Sequence, residues 1–193
     1  MASIKNQGWK PLMINRNRVR GVTLLELLIT FAVVTTVVAA IVPNFSNVIA
    51  NTQVGTATDT LIRAALLART ESVTRGQRVI ACLSDASIAC NPSSPTNITI
   101  FVDPNRSGSP TSHADIIRTL ELKESAITIT YNRPFLAYTP RGYAVGTNGT
   151  FTVCHSSGIG NMIIVSALGR PRKAIDYDGD GIVEKTPGLP LDC

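Results

Sequence analysis

The sequence predicts an α+β protein in which a long N-terminal helix, partly in a membrane, packs on an antiparallel β-sheet or β-sandwich domain. Three observations lead to this prediction. An apolar run covers residues 22–42, a helical apolar stripe follows within residues 44–75, and short β-branched runs separated by turn residues begin at residue 78. No helical pattern alternates with those short runs, and this favours antiparallel pairing over a parallel sheet.

The first element is the apolar run at residues 22–42, whose only charged residue is Glu26. At about 1.5 Å per residue, the run is long enough to cross the ~30 Å hydrocarbon core of a bilayer. Basic residues precede it, so this end is expected to stay in the cytoplasm while the rest of the chain faces the periplasm. We therefore expect a single-pass protein of the inner membrane. No second run of this kind follows, which argues against a channel or a transporter.

Two interpretations of this N-terminus compete. One is a Sec-type signal peptide cut after Ala40, with Val38 and Ala40 as the small residues of the cleavage site. In that case Glu26 costs roughly 2.5–3.5 kcal/mol on insertion scales, and a leader that is removed gains nothing from it. An anchor that persists can use this carboxylate when a partner in the membrane neutralises it.

The other interpretation rests on Arg20-Gly21 and the residues that follow, Val22-Thr23-Leu24-Leu25-Glu26-Leu27. This segment closely resembles the type III leader of type IV prepilins and of type II secretion pseudopilins. The resemblance implies that a prepilin peptidase cuts after Gly21, which removes residues 1–21, and methylates the new N-terminus at Val22. Pro43 lies where pilins commonly carry a helix-kinking proline, whereas Val22 departs from the usual Phe.

Glu26 acquires a role from this cleavage, because the cut creates a positively charged amine four residues away. In the low dielectric of a membrane an ion pair is strong and an unpaired charge is costly. The family is held to pair this carboxylate with the amine of a neighbouring subunit, which sets docking and register during assembly. The alternative is a Glu26 that extends from the membrane edge to water.

The second element is a continuation of the helix over residues 44–75. Pro43 lacks a backbone N–H and is expected to kink the helix without ending it. An apolar stripe follows at spacings of three, four and seven residues, formed by Leu61, Ala64, Ala65 and Ala68. Gly76 is expected to cap the C-terminus. The predicted helix, residues 22–75, places its first half in the membrane or a filament core and its second half on the domain.

The third element is a β domain at residues 76–193. Six β-branched runs are predicted as strands, with turn residues between them: Arg78–Leu83, Asn97–Val102, Ile116–Leu122, Ala126–Tyr131, Gly149–Cys154 and Met162–Ala167.

The four cysteines of the β domain allow three pairings. The expected compartment is oxidising, which favours disulfides. Cys82 and Cys90 flank a short loop and are expected to pair, which leaves Cys154 with Cys193. The irregular spacing argues against a zinc site.

The β domain resembles the GspH/FimT/FimU branch of the pilin family. The segments that carry the resemblance are Phe101–Asp103 with Gly108, Phe135–Gly142, Gly149–Cys154 and Ile163–Arg172. The Gly-Arg-x-Arg end of the last segment is the most distinctive of these. The resemblance implies a minor pilin or minor pseudopilin, a subunit of low abundance that helps to initiate a filament and has no catalytic activity or cofactor.

The net charge of +5 invites a nucleic-acid interpretation, but it comes from the leader. Five of the 18 basic residues lie within residues 1–21, and the remaining 13 equal the 13 acidic residues. Binding of a polyanion by the processed chain therefore requires a local patch. The sequence also lacks P-loop, Rossmann, HExxH and Gly-x-Ser-x-Gly patterns, so we do not expect an enzyme.

One candidate patch is Arg170, Arg172 and Lys173. Arginine suits bidentate phosphate contacts, and in some FimT-like minor pilins of natural transformation a Gly-Arg-x-Arg tail contacts DNA. The acidic residues that follow would oppose a polyanion. The alternative is that these arginines cap strand ends or pair with those acidic residues.

A candidate calcium loop comes next in the chain. Asp176, Asp178 and Asp180 occupy positions 1, 3 and 5 of an EF-hand pattern, with Gly181 at position 6. Position 12 is Pro187 and not Glu, so the pattern is incomplete. A solvated acidic turn is the alternative.

These observations favour a FimU-like minor type IV pilin that primes the pilus, which serves twitching motility and adhesion. Its expected partners are the prepilin peptidase and methyltransferase, the inner membrane, the major pilin and the other minor pilins of a tip complex. Two alternatives stay open: a FimT-like DNA-binding pilin of natural transformation, and a minor pseudopilin of the type II secretion system.

Overall fold

The computed structural model describes residues 21–85, 90, 94–122, 126–179, 183–186, 188–191 and 193. Within these residues it contains one long helix, one short 3-10 helix and ten strands. The predicted leader, apart from Gly21, lies outside the described residues. The chain forms two compact units, divided between Val42 and Pro43.

Helix α1 covers Leu24–Arg75 and continues through Pro43. It ends where the sequence predicts, because Gly76 adopts the left-handed conformation with φ 63°. Its amide donates to Val73 O at 3.3 Å, and the amide of Gln77 donates to Ser72 O at 3.2 Å. These bonds satisfy carbonyl groups of the last turn that have no partner within the helix.

The strands form two four-stranded sheets and a small hairpin, and all their pairings are antiparallel. The first sheet has the order β3-β2-β1-β5, from β1 (Val79–Ser84), β2 (Asn97–Val102), β3 (Ile116–Glu121) and β5 (Leu136–Tyr138). The second has the order β4-β6-β7-β8, from β4 (Ile127–Tyr131), β6 (Gly149–His155), β7 (Gly160–Val165) and β8 (Pro171–Lys173). The hairpin joins β9 (Glu184–Thr186) to β10 (Leu189–Pro190). The 3-10 helix covers His113–Asp115, just before β3.

The main core lies between the C-terminal half of α1 and both four-stranded sheets. The stripe predicted from the sequence is confirmed, since Leu61, Ala64, Ala65 and Ala68 are all buried. They join one apolar cluster with residues of the first sheet, such as Ile100, and of the second, such as Phe151. Alanine at most stripe positions lets the helix backbone lie close to the sheets.

Strand β1 is buried along its whole length, because the first sheet is covered on both faces. One face packs on the main core. The other forms a second apolar cluster from Ile80, Cys82, Phe101 and Ala137. A strand buried on both faces reads as a continuous apolar run without alternation, as Val-Ile-Ala-Cys-Leu does here.

All six predicted strands are present, with ends that differ by up to two residues. Four further strands, β5, β8, β9 and β10, escape the sequence pattern because each has only two or three residues. Such segments are too short to show alternation. They become strands only because a longer neighbour supplies the partner groups, as β1 does for β5.

Two glycines mark the place where α1, the segment after β5 and the β7–β8 turn meet. Gly142 and Gly169 both have positive φ, 77° and 76°. A Cβ atom on Gly169 would overlap the carbonyl oxygen of Gly142 and approach the Tyr138 ring at 2.9 Å. That same carbonyl accepts a hydrogen bond from Arg69 Nε at 3.1 Å. Both glycines belong to segments that carried the family resemblance, and the close approach explains why those positions need glycine.

Tyr138 lies beside this contact and is fully buried. Its hydroxyl has no hydrogen-bond partner within the described residues. Burial raises the pKa of this phenol, so the group stays neutral.

We expect Gly169→Ala to destabilise the β domain more than Gly158→Ala. Both residues have positive φ, 76° and 87°, and an alanine there costs about 1–2 kcal/mol from the backbone alone. Only at Gly169 would the new methyl group also overlap neighbouring atoms, since Gly158 has open space around it. Thermal unfolding of the two variants measures the difference. Equal losses in melting temperature would contradict the close packing of Gly169 on Gly142.

Candidate functional site

Gly21 and Val22 lie before the first turn of α1 and are exposed to solvent. Thr23 caps the helix: its Oγ1 accepts a hydrogen bond from the Glu26 amide at 3.2 Å, and its carbonyl accepts one from the Leu27 amide at 3.1 Å. Threonine is a favoured N-cap because its hydroxyl satisfies a free amide of the first turn. The bond between Gly21 and Val22 therefore lies outside the helix, between two exposed residues.

The first half of α1 exposes apolar side chains around its whole circumference. These include Leu24, Leu25, Leu28, Ile29, Phe31, Val33, Val34, Val37 and Val38. The threonines of this segment donate their hydroxyls to helix carbonyls one turn back, as Thr35 does to Phe31 O at 2.9 Å. A helix that is apolar on all sides belongs in an apolar environment. Glu26 is the one charge among these residues, and it too is exposed.

A search of the described residues for a helix both long and apolar enough to cross a membrane found none.

Both predicted disulfides are present in the structure. Cys82 pairs with Cys90 and Cys154 pairs with Cys193, each with a Cα–Cα distance of 5.5 Å. The first joins β1 to the segment that returns beside Ser84. The second joins the last residue of the chain to β6. The two bonds thus tie two loop-rich segments to central strands.

The C-terminal segment lies near the start of β7, against the face of the second sheet that is turned away from the main core. We call this the outer face. Leu191 is buried, and its side chain and Cys193 Sγ occupy the space where a side chain on Gly160 would lie. The buried Glu184 side chain holds this segment together through hydrogen bonds. It is only 3 % exposed, and its two carboxylate oxygens accept hydrogen bonds from the amides of Tyr177 and Gly188, both at 2.9 Å.

The candidate calcium residues lie just before Glu184. Asp176 Oδ1 accepts a hydrogen bond from the Gly179 amide at 2.7 Å, which closes a tight turn. Asp178 follows in the same turn, and Asp180 lies outside the described residues. Among the described residues, no group of three or more His, Cys, Asp or Glu side chains is placed to hold a metal ion.

The three basic residues of the Gly-Arg-x-Arg end fall into two groups. Lys173 Nζ lies 2.8 Å from Asp59 Oδ1 on α1. This hydrogen bond and the lysine charge hold the pKa of the Asp59 carboxyl below its usual value. Arg170 and Arg172 are exposed, and within the described residues their side chains make no ion pair or hydrogen bond.

Strand geometry explains this division. Successive side chains on a strand point to opposite faces of the sheet, so Lys173 and Arg172 diverge. Arg172 lies opposite Ile164, whose side chain lines the outer face, whereas Lys173 faces α1. The β7–β8 turn positions Arg170: its amide donates to Ser166 Oγ at 3.3 Å, and its carbonyl accepts from the Ser166 amide at 3.2 Å.

A groove of about 550 Å³ opens on the outer face of the second sheet. Its lining is uncharged and mixes hydroxyl, amide and apolar groups: Thr130, Tyr131, Asn132, Thr150, Thr152, Met162 and Ile164. Tyr131 is held in place by stacking on Phe151, with ring centroids 4.0 Å apart, and by its hydroxyl donating to Thr147 O at 2.6 Å.

Asp103, from another segment of the family resemblance, is buried and forms an ion pair with Arg78. Its carboxylate also accepts hydrogen bonds from the amides of Ser107 at 2.8 Å and Gly108 at 3.3 Å. A Cβ on Gly108 would lie 3.0 Å from the Phe135 ring. These contacts hold the loop that follows β2 in place.

Sequence reasoning missed Asp59, Arg69, Glu184 and the groove. The first two lie on α1 outside the apolar stripe and carry no local signal of their tertiary partners. Glu184 is position 9 of the calcium-loop pattern that begins at Asp176, and this pattern gives no sign that the side chain is buried. Its burial together with its bonds to two amides shows a structural anchor.

Comparison with known proteins gives two family matches. Residues 57–169 match the family described as Type II transport protein GspH. Residues 16–42 match the prokaryotic N-terminal methylation motif. Searching curated proteins gave no match.

Two similar solved structures are crystal forms of the type IV minor pilin FimU from Pseudomonas aeruginosa strain PAO1. The P21 form is 22 % identical, covers 65 % of this chain and 90 % of that chain, and superimposes with a TM-score of 0.51. The P65 form is also 22 % identical, covers 63 % of this chain and 92 % of that chain, and has a TM-score of 0.47. At this identity the first match supports a common fold, an N-terminal helix packed against antiparallel sheets.

We expect the protein extracted from membranes to begin at a methylated Val22, because the Gly21–Val22 bond is exposed and precedes the helix cap. Mass spectrometry of the intact protein and of its N-terminal peptide measures this. Gly21→Ala, placed where nothing lies within 4 Å of the new methyl group, tests whether the peptidase requires glycine and is expected to retain residues 1–21. An N-terminus at Ile41 would instead identify a Sec-type signal peptide.

Proposed function

Because this chain belongs to the GspH family of type II transport proteins and carries the N-terminal methylation motif, we propose that it is a minor type IV pilin that primes assembly of the pilus. The observation that carries the proposal is its N-terminal segment. An exposed Gly21–Val22 bond is followed by a capped helix whose first part, residues 24–39, exposes mainly apolar side chains and a single charge, Glu26. Such a segment is suited to an anchor that is processed and then enters a filament.

Assembly follows from the charges at this end. After cleavage, Val22 carries a methylated amine and lies four residues from Glu26. Both charges lie in an apolar segment, where an isolated charge is costly. Docking against a neighbouring subunit lets Glu26 pair with that neighbour's amine, so a correctly aligned neighbour is favoured over a displaced one. The proposed membrane span over residues 22–42 holds the subunit in the inner membrane until this step.

The β domain contributes a rigid surface to the proposed tip complex. Two disulfides and the buried Glu184 fix its loops, which suits exposure outside the cell. The family consists of pilin structural proteins, and the described residues hold no arrangement that suggests catalysis. The proposed partners are the major pilin and the other minor pilins, and the proposed roles of the pilus are twitching motility and adhesion.

A second candidate function is DNA binding during natural transformation. The observation that favours it is the exposure of Arg170 and Arg172 without side-chain partners in the described part of the chain. A third basic residue, Lys173, is paired with Asp59 and is therefore less available. The turn with Asp176 and Asp178 lies nearby in the chain and opposes a polyanion, which makes this function the weaker candidate.

A third candidate function is that of a type II secretion pseudopilin. Such a protein would use the same processing at Gly21 and the same pairing of Glu26 as the proposed pilin.

For the pilin function, we expect Glu26→Ala to leave processing at Gly21 intact and to reduce incorporation into filaments at least tenfold. The neighbouring amine then lacks its partner, and ~1.4 kcal/mol of lost pairing corresponds to a tenfold change in equilibrium. Immunoblots of sheared filaments against membrane fractions measure the ratio. Glu26→Asp, which retains the charge on a shorter side chain, should restore part of it. Wild-type incorporation of Glu26→Ala would contradict the role.

For DNA binding, the informative change is Arg170→Gln with Arg172→Gln. If the function holds, the intact protein in detergent binds duplex DNA without sequence preference, and the double variant loses about two units of the salt-dependence slope, since each phosphate contact contributes ~0.9. Arg118→Gln with Arg133→Gln removes the same charge from other exposed positions and should change binding little. Gel-shift titrations at several salt concentrations measure both. Equal effects of the two double variants would exclude a specific site at the Gly-Arg-x-Arg end.

A further inference from the structure

The two four-stranded sheets have four edge strands, and three of them are protected against pairing with another chain. Strand β3 carries the charges of Arg118 and Glu121. Strand β5 has three residues, all buried. Strand β8 has three residues, and they are Pro171, Arg172 and Lys173. Short length, proline and charge are the usual means by which proteins prevent edge-to-edge association.

The fourth edge, β4, has none of these protections. Its sequence is Ile-Thr-Ile-Thr-Tyr, with no charge, proline or glycine and with high β propensity throughout. Thr128 and Thr130 are exposed, while Ile129 is buried in the main core. The groove on the outer face begins at this edge, with Thr130, Tyr131 and Asn132 in its lining. The outer face of the strand is thus exposed, and its edge has none of the protections found at the other three edges.

The hydrogen bonds between β4 and β6 show which backbone groups of β4 point away from β6. The Asn132 amide donates to Thr150 O at 3.2 Å, and the Ser156 amide donates to Ala126 O at 2.9 Å. In an antiparallel pair the residues that bond to one neighbour alternate with those that point away. The amides and carbonyls of Ile127, Ile129 and Tyr131 therefore point away from β6, and within the described residues they have no backbone partner.

We propose that β4 is a homodimerisation edge, on which β4 of a second copy of this chain adds as an antiparallel strand. A two-fold axis midway between the two copies of Ile129 pairs this residue with its symmetry mate and pairs Ile127 with Tyr131 of the second copy. The six outward amides of the two strands then donate to the six outward carbonyls. Thr128 lies directly opposite Thr130 of the second copy.

The second copy is the occupant that the side-chain pattern fits. An incoming strand has to place apolar residues beside Ile127, Ile129 and Tyr131 and small hydroxyl residues beside Thr128 and Thr130. A second β4 strand that runs antiparallel to the first, with the two Ile129 residues paired, meets both requirements. The lack of charge on this edge also suits an identical partner, because like charges directly opposite one another destabilise a strand pair. A single two-fold contact closes on itself and leaves no further free edge.

This inference goes beyond the proposed function and does not depend on it. The residues involved differ from Glu26, which is proposed for docking, and from Arg170 and Arg172, the candidate DNA contacts.

Cysteine pairing in membranes tests the register. Two tagged full-length copies are co-expressed, one with Thr128→Cys and the other with Thr130→Cys. In the proposed register these residues form a non-hydrogen-bonded pair with Cα atoms about 4.5 Å apart, within the ~4.4–6.8 Å that a disulfide spans. Two copies of Thr130→Cys would lie about 8 Å apart, beyond that range. We expect a disulfide-linked dimer when the two variants are co-expressed. Either variant expressed alone should give at most a tenth of that amount of dimer, and so should the control Thr119→Cys on β3.

Charge substitutions at the same positions provide an independent test. Lysine at both Thr128 and Thr130 places like charges opposite one another, and so does glutamate at both. Each double variant alone should run as a monomer in detergent by light scattering. Co-expression of the two should restore a mixed dimer, because each lysine then faces a glutamate. Recovery by mixing cannot arise if the substitutions simply unfold the domain.

Three results would overturn the proposal. The first is the absence of the mixed disulfide in protein whose melting temperature matches the wild type. The second is equal cross-linking of the β3 control. The third is a disulfide from Thr130→Cys to a different protein in place of the second copy, which would assign the edge to another partner.

Discussion

The close packing of α1 on two sheets at once is the constraint on which the rest of the β domain depends. Leu61 is the large side chain of the central stripe, and the neighbouring stripe positions are alanines. These small residues let one helix contact Ile100 in the first sheet and Phe151 in the second within a single core. Buried apolar area contributes roughly 25 cal/mol per Å², so this shared core is the main source of stability. Bulkier residues along the stripe would separate the helix from both sheets.

Loops pack as tightly as the core where the helix ends. The left-handed Gly142 turns its carbonyl toward Arg69, and Gly169 of the β7–β8 turn lies directly against that carbonyl. The position of Arg170 is therefore fixed through a series of contacts that begins with the Arg69 side chain on the helix. Candidate functional residues on this turn are presented by a rigid support, even though their own side chains are exposed.

Much of this architecture could be predicted from the sequence because its signals are local. The helix stripe, the capping glycine and the six longer strands each show a period or a residue type that works over a few positions. The N-terminal motif is similar, since Gly21, Val22 and Glu26 lie in one short segment that resembles prepilin leaders. The short strands were not predictable, because β5 exists only through its pairing with β1. Nor could the partner of Lys173 be foreseen, since Asp59 is distant in sequence and lies off the helix stripe. The order of strands, which makes β4 an edge, is also a property of the whole sheet.

The Asp59–Lys173 pair neutralises part of the positive charge near the β7–β8 turn. Both side chains are about half exposed, so the pair adds little to stability, and either residue can change without harm to the fold. Loss of the carboxylate at position 59 would leave Lys173 without this partner, on the face of β8 opposite to Arg172, and raise the local positive charge by one. A single substitution on α1 would then make the electrostatic potential at β8 more positive, although β8 is distant from α1 in sequence. Such a change on α1 would alter the charge presented by β8 without any change in β8 itself.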